Sequence, residues 1–275
     1  MPYPTRNIFG EEILKFSREY TEYWIETVDK SIDGLKIAGA NEAAQLIETL
    51  KIDKVHSVVD VGCSYGRMFN VVKDLGKEAI GIDPDSFAVE KASELGYSKV
   101  LVATAENTKL ENESADMVFC WASFDVVNQL VGLLEFNRIL KVGGHALITG
   151  KNWDYPQDDS FGLLAEKRAY AKKFPNNFTD LETLIEILPS IGFELSGLLL
   201  FHKRGDMGEV KFSVWDSSRS DIEQSYEYLI HLVKIGPNVN PQVNTQFSFK
   251  YSKTAETLAS KLGMKSVVDF LLEEG

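Results

Sequence analysis

The most chemically informative pattern in this chain is an acidic residue followed closely by a glycine turn. It lies in the segment Val58-Val-Asp-Val-Gly-Cys-Ser-Tyr-Gly66, in which Asp60 precedes Gly62 by two residues. The β-branched residues around Asp60 predict a buried parallel strand, and the residues after Gly66 predict a helix. Since glycine allows positive φ angles and a close approach of the backbone, the turn can cradle a ligand. Asp60 then offers a carboxylate at the carboxyl end of the strand, where open α/β sheets bind their ligands.

The same turn argues against a dinucleotide site. A nicotinamide or flavin nucleotide requires the pattern G-x-G-x-x-G, so that its pyrophosphate can lie at the helix N-terminus. Counted from Gly62, the second and third glycine positions hold Ser64 and Arg67. An acid beside the turn also suits a positively charged ligand better than one that carries phosphates. A pyrophosphate-binding dehydrogenase is therefore the less favoured interpretation.

Further strand and helix patterns follow in the order that is typical of a doubly wound α/β sheet. The segment Ala79-Ile-Gly-Ile-Asp83 predicts a second strand that ends in an acid, 21 residues after Gly62. An acid at that distance is suited to hydrogen bonds with ribose hydroxyls. The remaining segments are a strand at 99–103, the stretch Thr104-Ala-Glu-Asn107, a strand at 115–121, a helix and turn at 133–144, and a strand at 145–149.

Together these segments resemble the class I S-adenosylmethionine (SAM)-dependent methyltransferases. The pattern D-x-G-x-x-x-G from Asp60 to Gly66 looks like motif I of that family, whose cofactor carries an ammonium and a sulfonium group. The segment Glu135-Phe-Asn-Arg-Ile-Leu-Lys-Val-Gly-Gly144 resembles the family's "E-x-x-R-x-L-K-P-G-G" turn. The resemblance spans about residues 56–149. It implies an α/β fold with a Rossmann-like, doubly wound, mostly parallel seven-stranded sheet and with helical N-terminal and C-terminal additions.

The resemblance also implies that the cofactor is SAM. Asp60 and the turn would hold its methionine part and the adjoining ribose, and Asp83 would accept hydrogen bonds from the ribose hydroxyls. The implied cofactor-binding residues are Asp60, Gly62, Cys63, Ser64, Gly66, Asp83, Pro84, Ala105, Glu106 and Trp121. The family's adenine segment "G-D-A-E" reads Ala103-Thr-Ala-Glu106 here, so an uncharged Thr104 hydroxyl would replace an acid near the adenine amine.

Candidates for catalysis and for the substrate pocket are fewer. A general base is needed only when the nucleophile is a hydroxyl or a carbon acid. The histidines at 56, 145, 202 and 231 are expected to be structural, since none follows a strand that ends near the cofactor. Asp125, after the fourth strand, is a candidate base, with a helix N-cap as its alternative role. The substrate-pocket candidates are Tyr20, Trp24, Trp153 and Tyr155.

Three regions follow from the patterns along the chain. Residues 1–45 predict an N-terminal helical cap or lid, and residues 46–216 predict the SAM-binding methyltransferase core. Within the core, 193–201 and 210–214 predict a strand pair, which by the resemblance is the family's reversed hairpin. Residues 217–275 predict a C-terminal helical extension, which could dock on the core, cover the site or form a homodimer contact. The helix expected there carries Ile222, Tyr226, Leu229, Ile230 and Val233 at helical spacing.

Composition excludes several classes of function. The chain has 275 residues, 44% of them hydrophobic, and a net charge of −12. The charge argues against a nucleic-acid substrate, because phosphate backbones need Lys and Arg patches and no long basic run is present. No apolar run approaches the ~20 residues of a membrane span, and no signal segment is evident. The two cysteines lack metal-ligand spacing, so we predict no metal site and a cytoplasmic location.

The function implied by the resemblance is methyl transfer from SAM to a small-molecule acceptor by direct displacement. A sugar or another metabolite is the candidate acceptor. Because no general base is evident and Thr104 stands in the adenine segment, a second hypothesis stays open. It is a non-catalytic SAM-binding protein that serves as a sensor or as a partner subunit.

Overall fold

The computed structural model describes residues 40–216, 221–237 and 245–273. The aromatic pocket candidates Tyr20 and Trp24 lie outside the described residues, as do residues 1–39 of the predicted N-terminal cap. Within the described ranges, no helix is both long enough and apolar enough to cross a membrane.

Eight helices lie in the described part of the chain, and most begin at a polar side chain that caps free backbone amides. Asn128, Asp159 and Ser252, for example, each accept a hydrogen bond from the amide three residues further on. The helices are α1 Ala40–Thr49, α2 Phe69–Leu75, α3 Ser86–Ser93, α4 Gln129–Ile139, α5 Ser160–Ala171, α6 Leu181–Ile187, α7 Lys253–Lys261 and α8 Val267–Leu272. Short 3₁₀ segments cover Phe124–Val126 and Leu188–Ile191.

The described strands form a single mixed sheet. They are β1 Val55–Val61, β2 Gly76–Asp83, β3 Lys99–Val102, β4 Ala115–Cys120, β5 Leu140–Asn152, β6 Phe178–Thr179, β7 Phe193–Phe201, β8 Ser213–Val214, β9 Glu227–Lys234 and β10 Ser248–Phe249. Their order is β3-β2-β1-β4-β5-β9-β7-β8, with β6 beside β5 and β10 beside β6. Strands β1 to β5 pair in parallel, whereas β9 is antiparallel to both of its neighbours. Three of these strands have only two residues, and the other seven confirm the predicted, mostly parallel α/β sheet.

Helices cover both faces of the sheet, as expected for a doubly wound fold. Because side chains alternate along a strand, adjacent residues enter opposite layers. Val59 of β1 packs in the layer that contains Phe136 of α4, whereas its neighbour Val58 packs in the layer that contains Val72 of α2. Helices therefore cover both faces of the sheet but not the ends of its strands.

Strand β9 is the largest difference from the sequence analysis. The apolar spacing of residues 222–233 predicts a helix, but the structure has the strand Glu227–Lys234 at this place, so that prediction is wrong. The strand lies between β5 and β7 and is buried on both faces, so its apolar residues run almost without interruption. A short continuous apolar run of this kind matches helical spacing as well. The predicted pairing of 193–201 with 210–214 is limited to two residue pairs, and β9 is the long reversed partner of β7.

The last helices dock on the core, which is one of the arrangements left open by the sequence. Residues of α7 and α8 form an apolar cluster with Leu163 and Tyr170 of α5. Buried Glu166 of α5 fixes this contact. Its carboxylate accepts hydrogen bonds from the Tyr155 hydroxyl at 2.7 Å, the Ser252 hydroxyl at 2.7 Å and the Ser252 amide at 2.8 Å.

We expect Leu229→Ala and Ile230→Ala each to lower the free energy of unfolding by about 2–5 kcal/mol, since each truncation leaves a cavity in a packed layer. The two neighbouring side chains pack on opposite faces of the sheet. The control is Val142→Ala in β5, where the residue is 61% exposed and a change within about 0.5 kcal/mol is expected. Urea unfolding followed by circular dichroism measures all three. A large loss for only one of the two neighbours would contradict a strand buried on both faces.

Candidate active site

A cavity of about 610 Å³ opens at the edge of the sheet where β1, β2, β4 and β5 end and where the reversed strand β9 begins. Its volume lies within the range of about 300–1,000 Å³ that is usual for small-molecule sites. One face of α5 contributes to its lining. The lining residues of that face are Phe161, Leu164, Ala165, Arg168 and Ala169.

The predicted glycine turn lies at one end of this cavity and is tied to β2. The amides of Gly62 and Cys63 both donate to the Ile82 carbonyl, at 2.8 and 3.0 Å. Gly62 has a φ of +76°, and a Cβ atom built there would lie 2.3 Å from the Ser123 hydroxyl oxygen. The positive φ and the short distance to Ser123 each require glycine at this position, because the turn packs closely against the loop that follows β4.

Asp60 is a buried carboxyl at the end of β1. Its side chain accepts a 2.6 Å hydrogen bond from the Tyr97 hydroxyl. Within the described residues, no basic side chain lies at ion-pair distance from it. Burial raises the pKa of the Asp60 carboxyl to about 7, while the Tyr97 hydrogen bond acts in the opposite direction.

Asp83 ends β2 beside the turn, and it is likewise a buried carboxyl without an ion-pair partner among the described residues. One of its carboxylate oxygens accepts from the Ser64 amide at 2.9 Å, and the other accepts from the Asp85 amide at 2.9 Å. Burial raises the pKa of Asp83 to about 6 in spite of these two hydrogen bonds. Each oxygen has a second lone pair, so the side chain can still accept hydrogen bonds from a ligand.

Most of the predicted cofactor-binding residues come together here. The eight that line the cavity are Asp60, Gly62, Cys63, Ser64, Asp83, Pro84, Ala105 and Trp121. Gly66 and Glu106 do not line it. Gly66 has a φ of +85° in the turn that leads into α2, and Glu106 accepts a 2.7 Å hydrogen bond from the Asn128 amide. The binding role of each of the ten residues stays a prediction.

Asp125, the candidate base, lines the cavity in the short 3₁₀ segment after β4. The alternative role as a helix N-cap is wrong, because Asn128 caps α4. The Asp125 carboxylate instead forms an ion pair with Lys151 at 2.7 Å. A catalytic role for Asp125 stays a prediction, but the ion pair already occupies one of its oxygens.

The structure does not place Trp153 and Tyr155 among the residues that line this cavity, and their role in a substrate pocket stays a prediction. Trp153 stacks on Phe249 with ring centroids 4.5 Å apart, and its amide donates to the Thr179 carbonyl. Tyr155 is fully buried and donates to Glu166. The segment after β5 is hydrogen-bonded to β6 and to the start of α7, and Trp153 also packs on β10. These contacts direct both rings away from the cavity.

The lining residues that the sequence analysis missed include Lys151, Tyr226 and Glu227. Lys151 was detectable, since it follows the predicted fifth strand by two positions. Tyr226 and Glu227 were not predicted because the sequence pattern of this segment indicates a helix. The segment is instead a reversed strand, which brings its first residues, rather than its last, to this edge of the sheet. Burial raises the pKa of Tyr226 to about 12 and that of Glu227 to about 6.

Comparison of the sequence with known proteins identifies a domain. A family model described as a methyltransferase domain matches residues 59–148, which contain Asp60, the glycine turn and Asp83. An uncharacterised protein of Methanocaldococcus jannaschii is 28% identical over 113 residues. This alignment covers 41% of the chain and 48% of the relative, so the chain spans about half the length of the curated relative that it matches.

Solved structures share the fold. A SAM-dependent methyltransferase of Thermotoga maritima matches with a TM-score of 0.56 at 21% identity, over 78% of this chain and 99% of the other. One from Archaeoglobus fulgidus matches with a TM-score of 0.55 at 17% identity, over 77% and 99%. A chain from the complex of the Haloferax volcanii Trm112 methyltransferase activator with a methyltransferase matches with a TM-score of 0.56 at 14% identity, over 79% and 98%.

The buried Asp60 carboxyl predicts an unusual dependence of stability on pH. Its pKa is about 7 in the fold against an ordinary value of 3.8, so the folded state binds more protons than the unfolded state between these values. The free energy of unfolding therefore falls as pH rises through this window. Asp60→Asn removes the effect, and we expect its stability relative to the parent to rise by about 2–4 kcal/mol between pH 4 and pH 8.

Urea unfolding at several pH values measures this difference, and Asp116→Asn is the control of opposite sign. Burial works against ionisation of Asp116, but the hydrogen bonds from Lys141 and Ser57 and the charge of Lys141 together outweigh it and hold the pKa of Asp116 below its usual value. Asp116→Asn should therefore lose stability at neutral pH and recover as the pH falls. A constant difference between Asp60→Asn and the parent at all pH values would refute the raised pKa.

Proposed function

We propose that this chain transfers the methyl group of SAM to a small-molecule acceptor, because residues 59–148 match the family model of a methyltransferase domain. The observation that carries this proposal is the pair of buried carboxyls beside the glycine turn, Asp60 and Asp83. Neither has an ion-pair partner among the described residues, although burial of a charge is costly without one. A ligand that brings its own positive charge would provide that partner.

The residues at this end of the cavity fit SAM in charge and in shape. The ammonium of SAM suits the Asp60 carboxylate, and the open lone pairs of Asp83 suit the ribose hydroxyls. The turn at Gly62 has no room for a side chain, so its backbone can approach the ligand closely. Ala103 and Ala105 also line the cavity, and their small side chains suit the close approach of a flat ring.

The adenine end departs from the family pattern. Thr104 replaces the usual acid, and its backbone is paired with Asn107 in an isolated bridge. Thr104 is not among the lining residues of the cavity. In this proposal the adenine is held by shape and by apolar contact with Ala105, and Glu106 supports the loop through the Asn128 amide.

The sulfonium of SAM supplies an activated methyl group, so the protein has little covalent chemistry of its own to perform. Its residues bind, orient and exclude water. Correct alignment of two reactants can provide about 7–11 kcal/mol of the barrier reduction. In this proposal Asp60 and the turn hold the donor, and the acceptor lies near Lys151 and Glu227, which line the same cavity.

A small molecule is the proposed acceptor because the cavity is concave and of limited volume, with Phe161, Leu164 and Phe174 among its apolar lining. The net charge of −12 disfavours a nucleic acid. A sugar or another metabolite remains the working assignment. We also propose a cytoplasmic location, since Cys63 and Cys120 are both free. A homodimer through residues 217–275 stays a prediction.

We expect isothermal titration calorimetry to show binding of SAM and S-adenosylhomocysteine but not of NAD. Asp83→Ala should weaken SAM binding at least about tenfold, because it removes charge-assisted hydrogen bonds to the ribose. Asp83→Asn keeps an acceptor for the Ser64 amide and controls for damage to the turn. Binding of NAD without SAM would contradict the cofactor, and an unchanged affinity in both variants would remove Asp83 from the site.

Turnover separates the two functions that share this cofactor. Release of S-adenosylhomocysteine during incubation with a panel of metabolites is the result expected of an enzyme. Tight SAM binding without release on any member of the panel would instead favour the non-catalytic sensor or partner subunit.

A further inference from the structure

The acceptor end of the cavity has its own group of charged side chains. Asp125 follows β4, Lys151 lies in β5, and Glu227 begins β9, which are neighbouring strands in the sheet. Lys151 and Glu227 are direct partners in the pairing of β5 with β9. All three side chains line the same cavity. The reversed direction of β9 is what brings Glu227 to this edge.

Lys151 is fully engaged within this group. Its ammonium lies 2.7 Å from the Asp125 carboxylate and also donates to the side-chain carbonyl of Asn176. Burial alone would lower the pKa of Lys151, but Asp125 raises it above the ordinary value. The ion pair therefore keeps Lys151 protonated, and the Lys151 ammonium occupies one carboxylate oxygen of Asp125.

Glu227 differs from Asp125 because its carboxylate is not engaged. Within the described residues, its side chain has no hydrogen bond and no ion pair, yet it lines the cavity and is partly buried. Burial raises its pKa to about 6, with Asp125 and Asp159 acting in the same direction and with Lys151 and Arg204 opposing them. The adjacent Tyr226 is fully buried, and its hydroxyl has no hydrogen-bond partner among the residues that the structure describes.

We propose that Glu227 is the general base of this site and that the acceptor nucleophile is a hydroxyl group. This inference rests on the methyl transfer proposed above. The acceptor O–H bond breaks, and its proton passes to a Glu227 carboxylate oxygen. The oxygen electron pair forms the new bond to the methyl carbon, while the electron pair of the methyl–sulfur bond leaves with the sulfur. The products are a methyl ether, a neutral thioether and protonated Glu227.

A hydroxyl fits these surroundings better than a thiolate or an amine. A thiolate or a free amine has its electron pair available, so it would not require an unpaired buried carboxylate. A cationic amine would be favoured by excess negative charge, but Asp125 and Glu227 are matched here by Lys151 and Arg204. The unpartnered hydroxyl of Tyr226 can hydrogen-bond the acceptor oxygen and orient it.

The first test measures Glu227 without any turnover. Protein labelled with ¹³C at the glutamate carboxyls is titrated by NMR, and the resonance absent from Glu227→Gln is assigned to Glu227. We expect a midpoint near pH 6, against the ordinary value of 4.5. A midpoint at or below the ordinary value would overturn the assignment, since a carboxylate of that kind is too weak a base at neutral pH.

The second test compares benzyl alcohol, benzyl mercaptan and benzylamine, which differ only in the nucleophilic atom. We expect Glu227→Gln to bind SAM normally but to transfer methyl to benzyl alcohol about 100-fold more slowly. Transfer to benzyl mercaptan, assayed at a pH where it is the thiolate, should be unaffected. The matched control is Glu223→Gln, at an exposed position outside the cavity, which should behave as the parent with all three probes.

Every other outcome counts against the proposal. An equal loss with the alcohol and the thiolate, no loss with the alcohol, or transfer to benzylamine alone would each overturn Glu227 as a base for hydroxyl acceptors. SAM binding by the parent without transfer to any probe would contradict the proposed catalysis, and the base with it. Failure of the parent to bind SAM would contradict the cofactor assignment itself.

Discussion

Strand β9 runs against the other long strands of the sheet, and most of what the cavity contains depends on that reversal. Parallel strands bring their carboxyl ends to one edge, which gathers Asp60, Asp83 and Lys151. A reversed strand adds its amino end to the same edge, so Glu227 lies opposite Lys151. The strand also hydrogen-bonds to β5 on one side and to β7 on the other. Without it, two long strand edges would lose their partners and the cavity would lose its acceptor end.

The charges of the cavity fall into two different arrangements. At the donor end, Asp60 and Asp83 are buried carboxyls held by hydrogen bonds from Tyr97 and from backbone amides, with no cation at ion-pair distance among the described residues. At the acceptor end, an ion pair between Lys151 and Asp125 stands beside a single unengaged carboxylate. Perturbed groups of this kind are concentrated at functional sites because stability alone does not favour them. One end is therefore prepared for a cation, and the other for a proton.

The donor end could be predicted from the sequence because its determinants are local. Asp60 and the glycine turn lie within a few residues of each other, and Asp83 follows at a spacing that one strand–helix–strand unit imposes. The acceptor end could not, since Glu227 reaches it only through a pairing with β5. The apolar run of β9 fits a helix as well as a strand buried on both faces, and only its neighbours in space decide between them. Trp153 and Tyr155 lie away from the cavity for a related reason, because the hydrogen bonds of Glu166 and the packing of Trp153 on β10 hold that loop against the C-terminal part of the chain.

The place of β9 in the sheet also sets the order in which the two ends arise as the chain is synthesised. Asp60, the glycine turn and Asp83 all precede position 84, and β1, β2 and β3 pair with one another over short separations in sequence. The acceptor end waits for residues 227–234 to join residues 145–151, and such distant pairings form late. A nascent chain thus assembles its donor pocket first. Until β9 emerges, the long edge of β5 is open to wrong partners, which makes this interval the one in which a chaperone is most useful.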